Sequence, residues 1–565
     1  MRASFIPISP STMASFLNGE RSVVLLLLTR ILYSSSSSLL FFESIALSLL
    51  VALALFVEIF VDNSHFSIEF KTRPGASSGL LLGAVTLPAL MLSKLIQLSR
   101  GLTLGEVAAT DFQYEKLLFW AGYMSCFSVL LFVGLFVRRS SSSNHVMNFG
   151  FRSTVLCALA YIVVKLGGAN YGLHLGLLFI WMLGHGVAAI KLIQHIFCSF
   201  PSCASIGEGL LMTIGLTTYA GDMLRSTLIK IVRVLMSSEV VFVKYIVKRS
   251  EISTIIQCYL LGLLLFPLLF NLSLQVLDRF AWPSLRIQSD RGRSILFFTL
   301  LILGATIIIP SWAQFVHEFN VHPLFWVLSF VFSDPFKRLS LCMYWVGVIC
   351  VSVNRFYNIS KRSKVERILL RKYYHLMAVA MFVPALILQP KFLNLAFGAA
   401  LAVFVVLEII RVWRIWPLGE MIHHFMNAFT DHRDSDLLIV SHFSLLLGCA
   451  LPMWISSGFN DRPLAPFAGI LSLGIGDTMA SMVGHKYGVL RWSKTGKKTI
   501  EGTAAGITSV LVACSFLLPL LASAGYIQNW SSLLLAVIAS GLLEAYTAQL
   551  DNAFIPLAFY SLLCL

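Results

Sequence analysis

The segment Gly474–Glu501, GIGDTMASMVGHKYGVLRWSKTGKKTIE, sets one acid in apolar sequence directly ahead of a loop rich in cations and glycine. Asp477 interrupts the apolar run, and an ionisable group at membrane depth is costly and marks a functional site by default. The loop then supplies Lys486, Arg491, Lys494, Lys497 and Lys498. Glycines let backbone N–H groups approach an anion closely, and lysine adds a compact positive charge, so this chemistry suits phosphate. A carboxylate beside such a loop points to a divalent metal shared with a nucleotide. Lys494–Glu501, KTGKKTIE, is like a phosphate loop, but the Walker spacing G-x-x-x-x-G-K-[ST] is absent and no soluble strand precedes it. Two plainer readings stand beside these. The loop can be a positively charged connector against lipid headgroups. Gly474, Gly476 and Gly484 can serve close helix packing, with Asp477 simply hydrogen-bonded among them.

Three further groups carry charge near apolar runs. Glu544 and Asp551 lie seven apart in EAYTAQLDN and share a face if the segment is helical, although Asn552 and Pro556 favour a nearby break. Two acids beside Gln549 and Asn552 are more than a turn requires. Arg371 and Lys372 precede Tyr373, Tyr374 and His375 at a helix start, as a phosphate-binding pair or as a topology signal. Asp431–Asp436, DHRDSD, is a solvated loop or part of a charged site. His423, His424 and His432 lie near it without the cysteines that a zinc site would bring.

The elements that must position these residues are membrane helices. Of 565 residues, 57% are hydrophobic and 12% charged, half the roughly 25% of a soluble domain; mean hydropathy is +0.82. Apolar runs near 20 residues recur throughout and do not alternate. The fold class is therefore all-α, a polytopic helical transmembrane protein of about 15 spans, not a β-barrel. The net charge of +15 belongs to short loops, so nucleic acid is excluded as a partner, and no protein partner can be deduced. The ten cysteines are scattered and imply neither a disulfide framework nor a zinc site. Near the N-terminus, Val23–Leu28 is short, followed by Arg30 and the run Ser34–Ser38. It reads as a surface helix or loose tail, not a signal peptide.

Spans are expected at roughly 40–61, 78–97, 116–137, 153–168, 171–193, 206–224, 254–275, 294–316 and 338–355, with a half-span at 322–333. Glu58 and Lys94 fall near span ends, where snorkelling is the ordinary explanation. The character changes near Asn358, which divides the chain into a multi-span region, 1–357, and a catalytic membrane domain, 358–565. The latter is expected to span at about 374–389, 392–411, 437–456, 464–484, 502–524, 531–544 and 553–565. Alternation of these spans puts the cations of 361–372, Arg411, Arg414, Arg433 and those of 485–501 on one side, and only Lys391 and Arg462 on the other. The positive-inside rule makes the first side cytosolic. Glu408, Asp431, Asp434, Asp436, Asp477, Glu501, Glu544 and Asp551 gather at the same side.

GIGDTMASMVG, then RW…GKKTIEGT, then EAYTAQLDNAFIPL, resembles the CTP-dependent polyprenol kinases, a group related to phytol kinase, the CTP-dependent diacylglycerol kinase and, more distantly, CDP-diacylglycerol synthases. The resemblance covers about residues 360–565. It implies transfer of the γ-phosphoryl of CTP to the hydroxyl of a polyprenol such as dolichol, with Mg2+, in the endoplasmic reticulum membrane and with the catalytic loop in the cytosol. It implies that Arg371 and Lys372 match the family's basic pair and Asp477 its essential acid. It assigns CTP to the 485–501 loop and its flank: Gly484, His485, Lys486, Gly488, Arg491, Lys494, Thr495, Gly496, Lys497, Lys498, Thr499 and Glu501. On this reading Asp477, Glu544 and Asp551 hold the metal. Ser493–Gly496 makes the Trp-to-Lys spacing slightly longer than is usual in the family. The long N-terminal half favours the dolichol-phosphorylating branch over phytol kinases. The rivals are another CTP-dependent lipid enzyme, a phytol or diacylglycerol kinase or a cytidylyltransferase, and a transporter; against the transporter, no matching polar motif recurs in the N-terminal half as an inverted repeat would require.

Overall fold

The computed structural model describes residues 18–35, 38–62, 72–73, 77–138, 155, 159, 172–236, 249–280, 290–362, 367–427, 438–492, 498–521 and 530–565. Among these the chain is helical, with one isolated antiparallel bridge between Arg491 and Thr499. The helices in chain order are α1 Gly19–Ser34, α2 Phe41–Asp62, α3 Leu80–Thr103, α4 Ala109–Arg138, α5 Gly172–Ser199 and α6 Ile206–Met236. They continue as α7 Glu251–Phe280, α8 Asp290–Leu303, α9 Ile309–His317, α10 Pro323–Phe332, α11 Pro335–Arg362, α12 Arg367–Leu388, α13 Pro390–Trp413, α14 Gly419–Asn427 and α15 Val440–Ile455. A π-helical turn, Ile470–Asp477, leads into α16 Thr478–Tyr487, followed by α17 Ile500–Leu521, α18 Trp530–Tyr546 and α19 Asp551–Leu563.

Nine of these helical stretches are long and apolar enough to cross a membrane among the described residues, so the count of about 15 is not reached there. The difference has physical causes. Helices α15 and α18 form where spans were expected but are short, with 16 and 17 residues, and α10, with 10, matches the half-span expected at 322–333. The expected span 464–484 is part π-helix. Helix α6 forms over 31 residues but carries Glu208, Asp222 and Arg225 among its apolar positions. The expected span 153–168 lies outside the described residues except for two isolated positions.

Two compact units divide the chain: residues 1–217 with 456–565, and residues 218–455. In the first, α3 is central. It packs against α1, α2, α4 and α19, and 83% of its apolar window is buried. Helix α1 is no loose tail: it buries Val23, Val24, Leu27, Leu28 and Ile31 and packs on α3, α18 and α19. Arg21 on α1 donates to Glu58 at 2.6 Å and to Asp62 at 2.6 Å. Glu58, 5% exposed, also accepts from the Leu81 N–H at 2.5 Å. Neither Glu58 nor Lys94 snorkels, because each finds a partner where it stands; Lys94 meets Glu115 at 2.9 Å. A charge this deep is retained only when paired and hydrogen-bonded. In the second unit, Phe266, Phe270, Phe297, Ile410, Ile415, Ile422, Met426 and Ile439 form the core. Arg411, 1% exposed, is no loop cation. It donates to Glu408 at 2.7 and 2.8 Å, and Glu408 accepts from the Ile439 N–H at 3.0 Å.

Candidate active site

Asp477 closes the π turn and is 2% exposed. A π segment inserts an extra residue per turn and recurs at functional positions. Ser481 Oγ lies 3.5 Å from Asp477 Oδ1. Thr478, the next residue, is fully buried, and its hydroxyl has no hydrogen-bond partner among the described residues. The sequence reading passed over Thr478; its adjacency to Asp477 was the available signal. Glycines set the approach of the helices here. A Cβ on Gly502 would lie 2.5 Å from the Ala480 carbonyl oxygen and 3.0 Å from Gly484 Cα, and one on Gly506 would lie 3.0 Å from the Gly476 carbonyl oxygen. Gly476 and Gly484 thus serve the close packing of the π turn and α16 against α17, one of the two roles open to them from sequence.

Beyond α16 the chain makes a small hairpin. The Gly488 N–H donates to the Gly484 carbonyl at 3.1 Å, the Ile500 N–H to Leu490 at 2.8 Å and the Trp492 N–H to Lys498 at 3.2 Å. Glu501 accepts from the Leu490 N–H at 3.0 and 3.2 Å, so its carboxylate closes the hairpin base. Thr499 is buried, and its hydroxyl accepts from the Gly502 N–H at 3.2 Å. Glu501 and Thr499 shape the hairpin. The Trp492 indole N–H donates to Thr503 Oγ1 at 2.9 Å, and its ring stands 5.2 Å from that of Tyr546. His485, Lys486 and Arg491 are exposed. The hairpin tip, with Lys494, Thr495, Gly496 and Lys497, lies outside the described residues.

Lys498 is the cation that reaches inward. Its Nζ contacts the Glu544 backbone carbonyl and lies 3.4 Å from Asp551 Oδ2. Glu544 stands near the end of α18 and Asp551 in the first turn of α19, where a helix N-terminus favours negative charge. The helix does break between them, over residues 547–550. Gly476, Thr503, Gly506, Ser540, Gly541 and Glu544 line one narrow crevice with Ile507, Val510, Val537 and Phe559. The π turn packs on α17 and α19, which brings the Asp477 turn to the wall of that crevice. No cluster of three His, Cys, Asp or Glu able to hold a metal occurs among the described residues. Asp477, Glu544 and Asp551 are therefore not a three-acid cage. Arg371 and Lys372 lie on α12, in the 218–455 unit; Lys372 and His375 are buried. The loop Asp431–Asp436, with His432, lies outside the described residues.

The loop between the two acids is gripped by the N-terminal half. Arg73 Nη2 donates to the Ala548 carbonyl at 3.3 Å and to Glu208 Oε1 at 2.5 Å. Glu208 accepts from the Leu550 N–H at 2.8 Å. Gln549, fully buried, donates to the Ser77 carbonyl and hydroxyl at 3.0 Å each, and accepts from Ser205 Oγ.

Comparison with known proteins agrees with the motif. A family model described as dolichol kinase matches residues 187–457, a stretch that includes Arg371 and Lys372 and stops before the Asp477 turn. The chain is 58% identical to the dolichol kinase EVAN of Arabidopsis thaliana, over 98% of this chain and 100% of that relative. It is 28% identical to the human dolichol kinase over 88% of this chain and 87% of that one. The dolichol kinase sec59 of Schizosaccharomyces pombe is 33% identical over 49% of this chain and 58% of its own length. No solved structure matches. With 58% identity running along 98% of this chain and the whole of a relative, the chain belongs to the dolichol kinase family.

Proposed function

We propose that this chain transfers the γ-phosphoryl of CTP to the hydroxyl of dolichol, in the endoplasmic reticulum membrane, with the 485–501 hairpin in the cytosol. The observation that carries the reading is Lys498: a cation at the base of a basic hairpin, turned in against the Glu544 carbonyl and the Asp551 carboxylate. The nucleotide phosphates meet the hairpin lysines, and the lipid hydroxyl enters from the apolar side, where the crevice runs from Thr503 and Glu544 towards Val510 and Val537. The hydroxyl oxygen bonds to the γ-phosphorus as the bond to the β-phosphate oxygen breaks, giving dolichyl phosphate, CDP and a proton. Catalysis of this kind is mostly positioning and charge stabilisation.

The acids fit Mg2+. That ion is usually held by one or two carboxylates plus substrate phosphates and not by an all-protein cage. Two carboxylates flanking one short loop, and a third in a buried turn, are such a donor set. When bound between Asp551 or Asp477 and the phosphates, Mg2+ would neutralise charge on the transferring group. The residues of the chain do the rest: Lys498 aligns the phosphates, and the crevice excludes water. The basic pair Arg371 and Lys372 is assigned to the same reaction on the family motif alone.

Purified protein given CTP labelled at the γ- or the α-phosphate, with a panel of lipid alcohols, tests this. The γ-label should pass to dolichol. Transfer of the α-label would make the chain a cytidylyltransferase, and a preference for phytol or diacylglycerol would make it a different lipid kinase. Asp477→Asn should abolish transfer while the protein accumulates normally; near-parental turnover would remove Asp477 from the mechanism.

A further inference from the structure

Within the 547–550 segment the Gln549 N–H donates to Thr547 Oγ1 at 3.1 Å, and every residue from Ala548 to Leu550 is also held by a side chain of the N-terminal half. The Ala548 carbonyl takes Arg73. The Gln549 side chain is fixed by Ser77 and Ser205, and the Leu550 N–H donates to Glu208. Arg73 and Glu208 are 6% and 2% exposed and pair with each other. Glu208 is locked in turn, since Oε2 accepts from the Ser205 N–H at 2.8 Å and Ser205 Oγ accepts from the Glu208 N–H at 3.1 Å. The same short loop joins Glu544 to Asp551.

We infer that the Arg73–Glu208 pair is a positioning device for phosphoryl transfer: through the 548–550 backbone it fixes Asp551 and the Glu544 carbonyl at Lys498. The inference rests on the reading that Asp551 belongs to the active site. It gives the N-terminal half a task in the chemistry beyond anchorage. Replacement of a buried ion pair by apolar side chains is often tolerated by the fold, whereas removal of one partner strands a charge. The pair therefore has to be tested as a pair.

The experiment compares Arg73→Leu/Glu208→Leu, Glu208→Gln and Asp551→Asn with the parent protein in detergent, at saturating dolichol and varied CTP, with thermal unfolding followed in parallel. A misplacement of about 1 Å can cost roughly 100-fold in rate. The paired variant should keep its thermal midpoint and its KM for CTP within about threefold while kcat falls about 10- to 100-fold. Glu208→Gln keeps one oxygen, which can accept from the Leu550 N–H or the Ser205 N–H but not from both, and should recover only part of that loss. If the paired variant does not accumulate, Ser205→Ala, which removes one partner of Gln549, should show the same split, with kcat down about 3- to 10-fold. Parental kcat in the paired variant, or in Ser205→Ala where that variant stands in for it, with Asp551→Asn inactive, overturns this inference alone. A loss of activity that only tracks the loss of folded protein overturns it too. Parental kcat in Asp551→Asn overturns the active-site reading, and this inference with it.

Discussion

Lys498 is the residue on which the hairpin and the acids converge. A charge-assisted contact contributes roughly 1.5–3 kcal/mol, so Lys498→Ala should lower kcat/KM for CTP by about 10- to 150-fold. Lys486, exposed and lying 5.0 Å over the Tyr487 ring, should tolerate alanine far better. Equal and small effects at the two lysines would reduce the hairpin to a cytosolic anchor. Glu20 offers a pH test. Burial first, then the neighbouring Glu58 and, less strongly, Asp62, push its carboxyl up to about 7 against the pull of the Ala548 N–H and of Arg21. Between the ordinary value of 4.5 and 7 the folded protein therefore binds more proton at Glu20 than the unfolded chain does. The contribution is most favourable below 4.5 and is lost as pH rises towards and through 7. Thermal midpoints of the parent, followed upward over that window, should fall more steeply than those of Glu20→Gln. Parallel curves for the two proteins would dismiss the assignment.

The glycines that let α17 lie against α16 are vulnerable to one added side chain. Gly502→Val must displace the Ala480 carbonyl or the Gly484 backbone. Overpacking of this kind costs about 1–3 kcal/mol, and the thermal midpoint should drop by several degrees, whereas Ala504→Val on the exposed face of the same helix should leave it unchanged. An unchanged midpoint in Gly502→Val would mean that the helices separate freely there. Such elements differ in how far they were legible in sequence. The Asp477 turn and the hairpin were visible because their chemistry is contiguous: acid, glycines and lysines follow one another along a single segment. Asn552 and Pro556 pointed to a helix break nearby; it falls just before them, over 547–550, and both residues lie inside α19. Of the two readings of the N-terminal segment, the helix holds and the loose tail does not; its burial was hidden because the apolar stretch is short, and the partners of Arg21, Glu58 and Asp62, stand a helix away. Fewer than 15 helices reach spanning length among the described residues because apolar composition marks a helix but not its length, and α15 and α18 stop short. Position in a motif did not reveal that Glu501 and Thr499 also bond within their own hairpin.

At the scale of the molecule, the side of the membrane on which the hairpin lies is the main remaining test. In a background with Cys198 and Cys350 replaced by serine, since both are exposed, Val489→Cys should react with an impermeant thiol reagent in sealed, right-side-out microsomes; Val489 is 81% exposed. Protection until detergent is added would invert the topology. The grouping of residues 1–217 with 456–565 was not legible in sequence. Nothing near Arg73 or Glu208 announces a partner, because Leu550 follows Glu208 by 342 residues. That separation is also an interval of time. Ribosomes add about 5–20 residues per second, so roughly 17 to 68 s pass between the emergence of Glu208 and that of the loop it will hold. Throughout that interval the nascent chain must keep an arginine and a glutamate inserted at their posts, with the whole 218–455 unit being made in between. A ribosome stalled within that unit would leave behind a half-built enzyme whose buried charges still await the backbone they were placed to grip, and such a product is a natural target for membrane quality control.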